Sequence, residues 1–234
     1  MGLLDRLFGR RVHLDPALSG RLDAWSGRPE ADLSEDFDAT RYVVVDVETT
    51  GLDLARDRLI AIGACAVENG EVVMADSFEI VLRQDRISTK DNILIHGIGG
   101  EAQREGLEPA EALLRFLDFL GKSPLVAFHV TFDQTMIKRA VKEYLGFDFK
   151  HPWLDLAYVM PGLLPQFAQR YRALDDWSNY FEISNFARHS ALADALATAQ
   201  LFLCALPLAR DKQSSCYRNL QDLEKAQRWI NWTG

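Results

Sequence analysis

Apolar residues follow two rhythms along this chain, and polar residues gather where one rhythm gives way to the other. Tyr42, Val43, Val44 and Val45 form an unbroken apolar run, which predicts a central strand over 42–47 covered on both faces. Apolar runs over 59–67 and 72–82 flank Asn69 and Gly70, a pair that favours a two-residue hairpin turn. A helix is expected near 109–120. The turn from Gly121 to Pro124 then introduces a short strand over 125–128. Met136, Ile137, Ala140, Val141, Tyr144 and Leu145 recur at helical spacing, predicting a helix over 132–145 with Thr131 and Gln134 as its capping box. A short strand near 153, smaller helices within 155–181 and a long Ala/Leu-rich helix over 190–206 follow. A last helix is expected within 212–234, with Leu220, Leu223, Ala226 and Ile230 on one face.

Strands followed by alternating helix and strand predict an α/β fold, a mixed sheet flanked by helices. A site is expected where the carboxyl ends of the central strands meet helix starts. Residues 39–208 form the main domain, 1–38 an N-terminal appendage and 209–234 a helical extension. Within the appendage, Leu3, Leu4, Leu7 and Phe8 lie among arginines; a helix packed on the protein's own body is favoured over a membrane or partner anchor.

Charge and cysteine usage narrow the function classes. A net charge of −8 argues against a broad electrostatic grip on duplex nucleic acid. Cys65, Cys204 and Cys216 match neither a zinc spacing nor a disulfide framework, so a reducing cytoplasm is expected. No apolar stretch approaches the roughly 20 residues that span a bilayer.

The candidate chemistry sits at the ends of these elements. Asp46 and Glu48 are two apart at the end of the first strand, so both leave on one face. Followed by Thr49, Thr50, Gly51 and Leu52, they suit divalent cations and a phosphate, although a strand ending in a polar turn explains them equally well. Asp133 falls in a helix's first turn, where the helix dipole alone favours an acid. Ser190 is a natural N-cap, leaving His189 on the preceding loop and Asp194 one turn into an apolar helix, where an acid needs a partner.

Taken in order, Asp46–Glu48–Gly51, then Phe132–Asp133, then His189–Asp194 resemble the three motifs of the DEDDh family, the DnaQ-like 3′–5′ exonucleases of the ribonuclease-H-like fold. Ile95, His96, Gly97 and Ile98 are similar to that family's His-Gly-Ile turn between the third strand and the first helix, and Trp153 to Ala157 to its Asp-Thr-Leu segment. Phe128 and His129 depart from its usual His-Asn. The resemblance implies a mixed five-stranded sheet and two Mg²⁺ or Mn²⁺ ions. Asp46 would bridge both ions, Glu48 and Asp194 would support the ion bearing the attacking water, and Asp133 would hold the second. His189 would take the water's proton. Thr50, Gly51 and Leu52 would meet the terminal nucleotide, with His96 and Phe132 as further substrate contacts. The implied substrate is a single-stranded 3′ end, DNA before RNA, and proofreading would need a separate polymerase chain. An RNA-trimming exonuclease and a non-catalytic polymerase accessory module are the rival readings.

Overall fold

The computed structural model describes residues 12–185 and 187–233. Leu3, Leu4, Leu7 and Phe8 therefore lie outside the described residues. The chain opens with α1 (Pro16–Ser26), whose N-cap Asp15 accepts the backbone N–H groups of Ala17 and Leu18. Its Trp25 is buried and donates to the Gly121 carbonyl at 2.7 Å, so this helix packs on the body of the protein.

Strands β1 (Tyr42–Thr49), β2 (Leu59–Glu68) and β3 (Glu71–Val81) form an antiparallel meander. Asn69 and Gly70 join the last two at φ 52° and 74°, as a hairpin turn with both central residues left-handed requires. Two short helices that the apolar pattern does not signal come next, α2 (Lys90–His96) and α3 (Gly100–Glu105). The expected turn around His96 and Gly97 is thus the end of a helix, capped by Gly97 at φ 72°.

The α/β part follows as α4 (Pro109–Leu120), β4 (Leu125–Ala127), α5 (Thr131–Leu145), β5 (Trp153–Asp155) and α6 (Leu156–Leu163). After α7 (Leu174–Tyr180) come the long α8 (Ala191–Asp211) and α9 (Tyr217–Thr233). The sheet order is β3-β2-β1-β4-β5, with β4 and β5 parallel to β1. Val43, Val45 and Val47 face a core shared with α1, α4 and α5, whereas Tyr42 and Val44 face α6, α8 and α9. The result is a five-stranded mixed sheet between two helical layers, the ribonuclease-H-like architecture that the motifs imply.

Three expectations need correction. Thr131 is the first residue of α5 rather than its cap; Val130 holds the cap position without a side-chain bond, because the chain enters from His129 at φ 63°. On α9, Leu220 and Glu224 turn inward while Ala226 and Ile230 are exposed. Glu224 reaches an ion pair with Arg228, which outweighs the apolar spacing. Finally, α8 is long and apolar enough to cross a membrane, with a mean hydropathy of 1.6 over its window. Asp194, Thr198 and Gln200 interrupt its apolar run without lowering the average enough. Fifty-six per cent of that window is buried inside the protein, so the core accounts for its composition.

Candidate active site

Asp46 and Glu48 leave β1 on the face covered by α8, paired in register with Gly63 and Ala61 of β2. Gly63 is what lets α8 approach. A β-carbon there would stand 2.1 Å from the Leu192 nitrogen and 2.2 Å from the Ala191 carbonyl carbon, so only glycine admits the helix start beside Asp46. Asp194, one turn into α8, consequently joins the strand pair. One ligand oxygen from each of Asp46, Glu48 and Asp194 lies within 4.8 Å of the other two.

Burial and mutual repulsion raise the affinity of these acids for protons. The Asp46 carboxyl is pushed well above its usual range by burial, then by Asp133, Asp194 and Glu48, with Arg188 opposing. Burial, then Asp194, pushes Glu48 up to about 8. Asp133 stands outside the triad on α5. Its carboxyl is raised mainly by burial, while its own N–H and that of Val47 oppose the rise by bonding the charged form. Three converging carboxylates with oxygen donors only fit a hard divalent cation. Asp46, Glu48 and Asp194 would hold it.

His189 sits on the loop before α8 at φ 63°, and its backbone N–H donates to Asp194 Oδ2 at 3.0 Å. Asp194 Oδ1 receives Asn185 Nδ2 and Arg188 Nη1, each at 2.5 Å. Ser190 occupies the N-cap position of α8 without a side-chain cap bond. Acids and histidine line a cleft of about 810 Å³, together with Gly51, Leu52, Asn92, Phe128 and Phe132.

The sequence profile of the exonuclease family matches residues 43–202. The chain belongs to the DnaQ-like 3′–5′ exonucleases. A PolC-type DNA polymerase III of Thermotoga petrophila is 33% identical over 174 residues, covering 74% of this chain and 12% of the relative. An epsilon-like DNA polymerase III subunit of Rhodobacter capsulatus is 32% identical over 202 residues, covering 85% and 27%. The exonuclease therefore spans only a small part of these curated relatives. Among solved structures, E. coli exonuclease I with a dT13 oligonucleotide superposes with a TM-score of 0.63 at 17% identity, over 74% of this chain and 42% of that one. Exonuclease X with 5′-overhanging duplex DNA gives 0.61 at 16%, over 78% and 99%. Both share the fold.

Gly51, Leu52, His96 and Phe132 line the cleft of this exonuclease, and Leu52 stands 85% exposed at its rim. Thr50 does not line it. An irregularity in β1 between Glu48 and Thr49 turns the Thr50 hydroxyl to Asp57 Oδ1 at 2.8 Å, and Thr49 enters the cleft instead. His96 is buried, with Nδ1 accepting the Ile98 N–H at 3.0 Å and Nε2 3.2 Å from Ser88 Oγ. Its nitrogens therefore serve the fold, and only the ring is presented to the cleft. Burial also lowers its pKa.

Several cleft residues of the exonuclease escaped the motif-based reading. Asn92, in the cleft lining, donates its side-chain amide to the Thr50 carbonyl, and Asp57, outside the lining, accepts from Thr50 Oγ1 and the Asp53 N–H, so the two brace the loop after β1. His129 is held by its N–H on Asp155 Oδ1 at 2.9 Å. Arg188, beside His189 in the chain, was the one with a signal: a cation next to a catalytic motif in an acidic protein.

Proposed function

We propose that this chain is a divalent-metal-dependent 3′–5′ exonuclease that acts on single-stranded DNA ends, releases nucleoside 5′-monophosphates, and serves proofreading or repair. The observation that carries the proposal is the meeting of Asp46, Glu48 and Asp194 within 4.8 Å, at the foot of a cleft that also presents His189 and the exposed Leu52.

Two Mg²⁺ or Mn²⁺ ions, the choice that oxygen donors favour, would supply the Lewis acidity that makes water nucleophilic and relieves charge on the phosphate and the departing 3′ oxygen. The chain's own residues do the rest. Asp46, Glu48 and Asp194 gather the negative charge that fixes the site. Asp133 adds to it from α5. The His189 imidazole takes the proton of the attacking water as a general base. Leu52 and Phe132 offer apolar contact to the terminal nucleoside, with Gly51 beside them in the cleft lining.

DNA is favoured over RNA by the names of the relatives, a PolC-type DNA polymerase III and an epsilon-like DNA polymerase III subunit, and by the oligonucleotide in the exonuclease I structure. Proofreading requires a polymerase, which the matched segment does not contain. Three cysteines without disulfides accord with a reducing cytoplasm. The test is hydrolysis of 3′-labelled single-stranded DNA and RNA of one sequence, with Mg²⁺ and with EDTA. Mononucleotide release from DNA, dependent on Mg²⁺, is expected; preferential digestion of RNA would overturn the substrate assignment.

A further inference from the structure

Four carboxylates face the cleft, yet among the described residues Arg188 is the only lysine or arginine that lines it. Its side chain spans two helices. Nη1 donates to Asp194 Oδ1 at 2.5 Å on α8, and Nε lies 3.0 Å from Asp175 Oδ1 on α7. Asp194 thereby receives three donors: Arg188 and Asn185 on Oδ1, and the His189 N–H on Oδ2. A carboxylate offers about four lone-pair sites. A cation coordinated by Asp194 Oδ1 must therefore compete with the guanidinium for the same oxygen.

The same residue answers a second difficulty. A phosphodiester strand entering this cleft meets four acids, and a planar guanidinium is the side chain best shaped to take a phosphate through two nitrogens. Arg188 lines the cleft with its side chain 36% exposed.

We propose that Arg188 serves two anions in turn: it holds Asp194 until a divalent cation takes that carboxylate, and the released guanidinium then grips a phosphodiester of the bound strand. This rests on the exonuclease reading above. It makes Arg188 a substrate-binding residue whose availability is set by the metal, so that the cleft gains its grip on a strand only when it is ready to cut.

Two binding measurements on Arg188→Gln test this without turnover. In a calorimetric Mn²⁺ titration without nucleic acid, the variant should bind about three- to tenfold more tightly than wild type, because the competing partner of Asp194 is gone. In fluorescence anisotropy with a labelled single-stranded dT oligonucleotide, with Ca²⁺ present to hold hydrolysis down, the variant should bind about tenfold more weakly. In EDTA the two proteins should bind the oligonucleotide equally. Arg188→Lys has one donor nitrogen in place of the two that bridge Asp175 and Asp194, and it should lie between the others in both measurements. Unchanged or weaker Mn²⁺ binding by Arg188→Gln, or an oligonucleotide loss of equal size in EDTA and Ca²⁺, overturns the exchange. If wild type itself takes up neither Mn²⁺ nor oligonucleotide, the exonuclease reading fails first.

Discussion

Gly63 and Leu192 touch backbone to backbone: a β-carbon on the glycine would lie 2.1 Å from the leucine nitrogen. This contact seats the first turn of α8 against β2, and with it Asp194 beside Asp46. Gly63→Ala should push α8 outward and cost about 3 kcal/mol or more through overpacking against backbone that has no rotamer to change. Loss of hydrolysis should accompany it. Urea unfolding and turnover check both; an alanine variant of wild-type stability would show that the helix has room the geometry denies.

Asp46→Ala should abolish hydrolysis while the fold persists. Burial and three neighbouring acids oppose the Asp46 charge, so in EDTA the variant should melt at the same temperature as wild type or higher. Millimolar Mn²⁺ should raise the wild-type melting temperature, because ligand bound to the native state stabilises it by mass action. That shift should shrink in the variant. Equal shifts in the two proteins would remove Asp46 from the site.

The pH dependence of stability in EDTA follows from Glu48. Its carboxyl holds a proton up to about pH 8 in the folded chain, against an ordinary 4.5. The folded state thus binds this proton more tightly than the unfolded state. The Glu48 contribution should be fully favourable below about 4.5, decline as pH rises toward 8, and level off above. Urea midpoints at about pH 5 and about pH 8 for wild type and Glu48→Gln provide the comparison. A glutamine variant that declines more steeply than wild type contradicts the sign.

His189→Ala removes the imidazole but keeps the backbone N–H that Asp194 accepts. Turnover should fall by about two to four powers of ten, as for loss of a general base, with Mn²⁺ affinity nearly unchanged. A large drop in Mn²⁺ affinity would make His189 a ligand.

A fifth expectation concerns α9, which packs on the same face of the sheet as α8. Arg228 on α9 donates to the buried Asp155 at 2.7 Å and to Glu224 at 2.8 Å, while Asp155 holds the His129 N–H of the cleft wall. Arg228→Met leaves two acids side by side in the interior and should destabilise the protein by about 3 kcal/mol. Chemical denaturation measures this, and a change below about 0.5 kcal/mol would mean that water already screens the pair.

The elements legible in the sequence were those that announce themselves locally. The valines of β1, the Asn69–Gly70 turn and the alanine-rich α8 each carry their own signal, and the spacing of Asp46, Glu48 and Asp194 follows from them. Helices α2 and α3 were missed because they are short and mostly polar, held by contacts such as Gln103 with Ser88 rather than by an apolar stripe. The Thr131 cap was misplaced because the left-handed His129 shifts the start of α5. Thr50 was assigned to the cleft because an irregular strand end reverses which threonine points inward. The bridge from Arg188 to Asp175 had no local signature, since one helix must fold back beside another before the residues meet.

The acids of the cleft come from the first strand, the fifth helix and the eighth, and none of these segments is complete without the others. A chain still emerging from the ribosome can present Asp46 and Glu48 early, but Asp194 joins them only after α8 has docked against the Gly63 notch. Non-local contacts of this kind form late in folding. The four acids can therefore share one cleft only after most of the chain, through α8, has been made and folded.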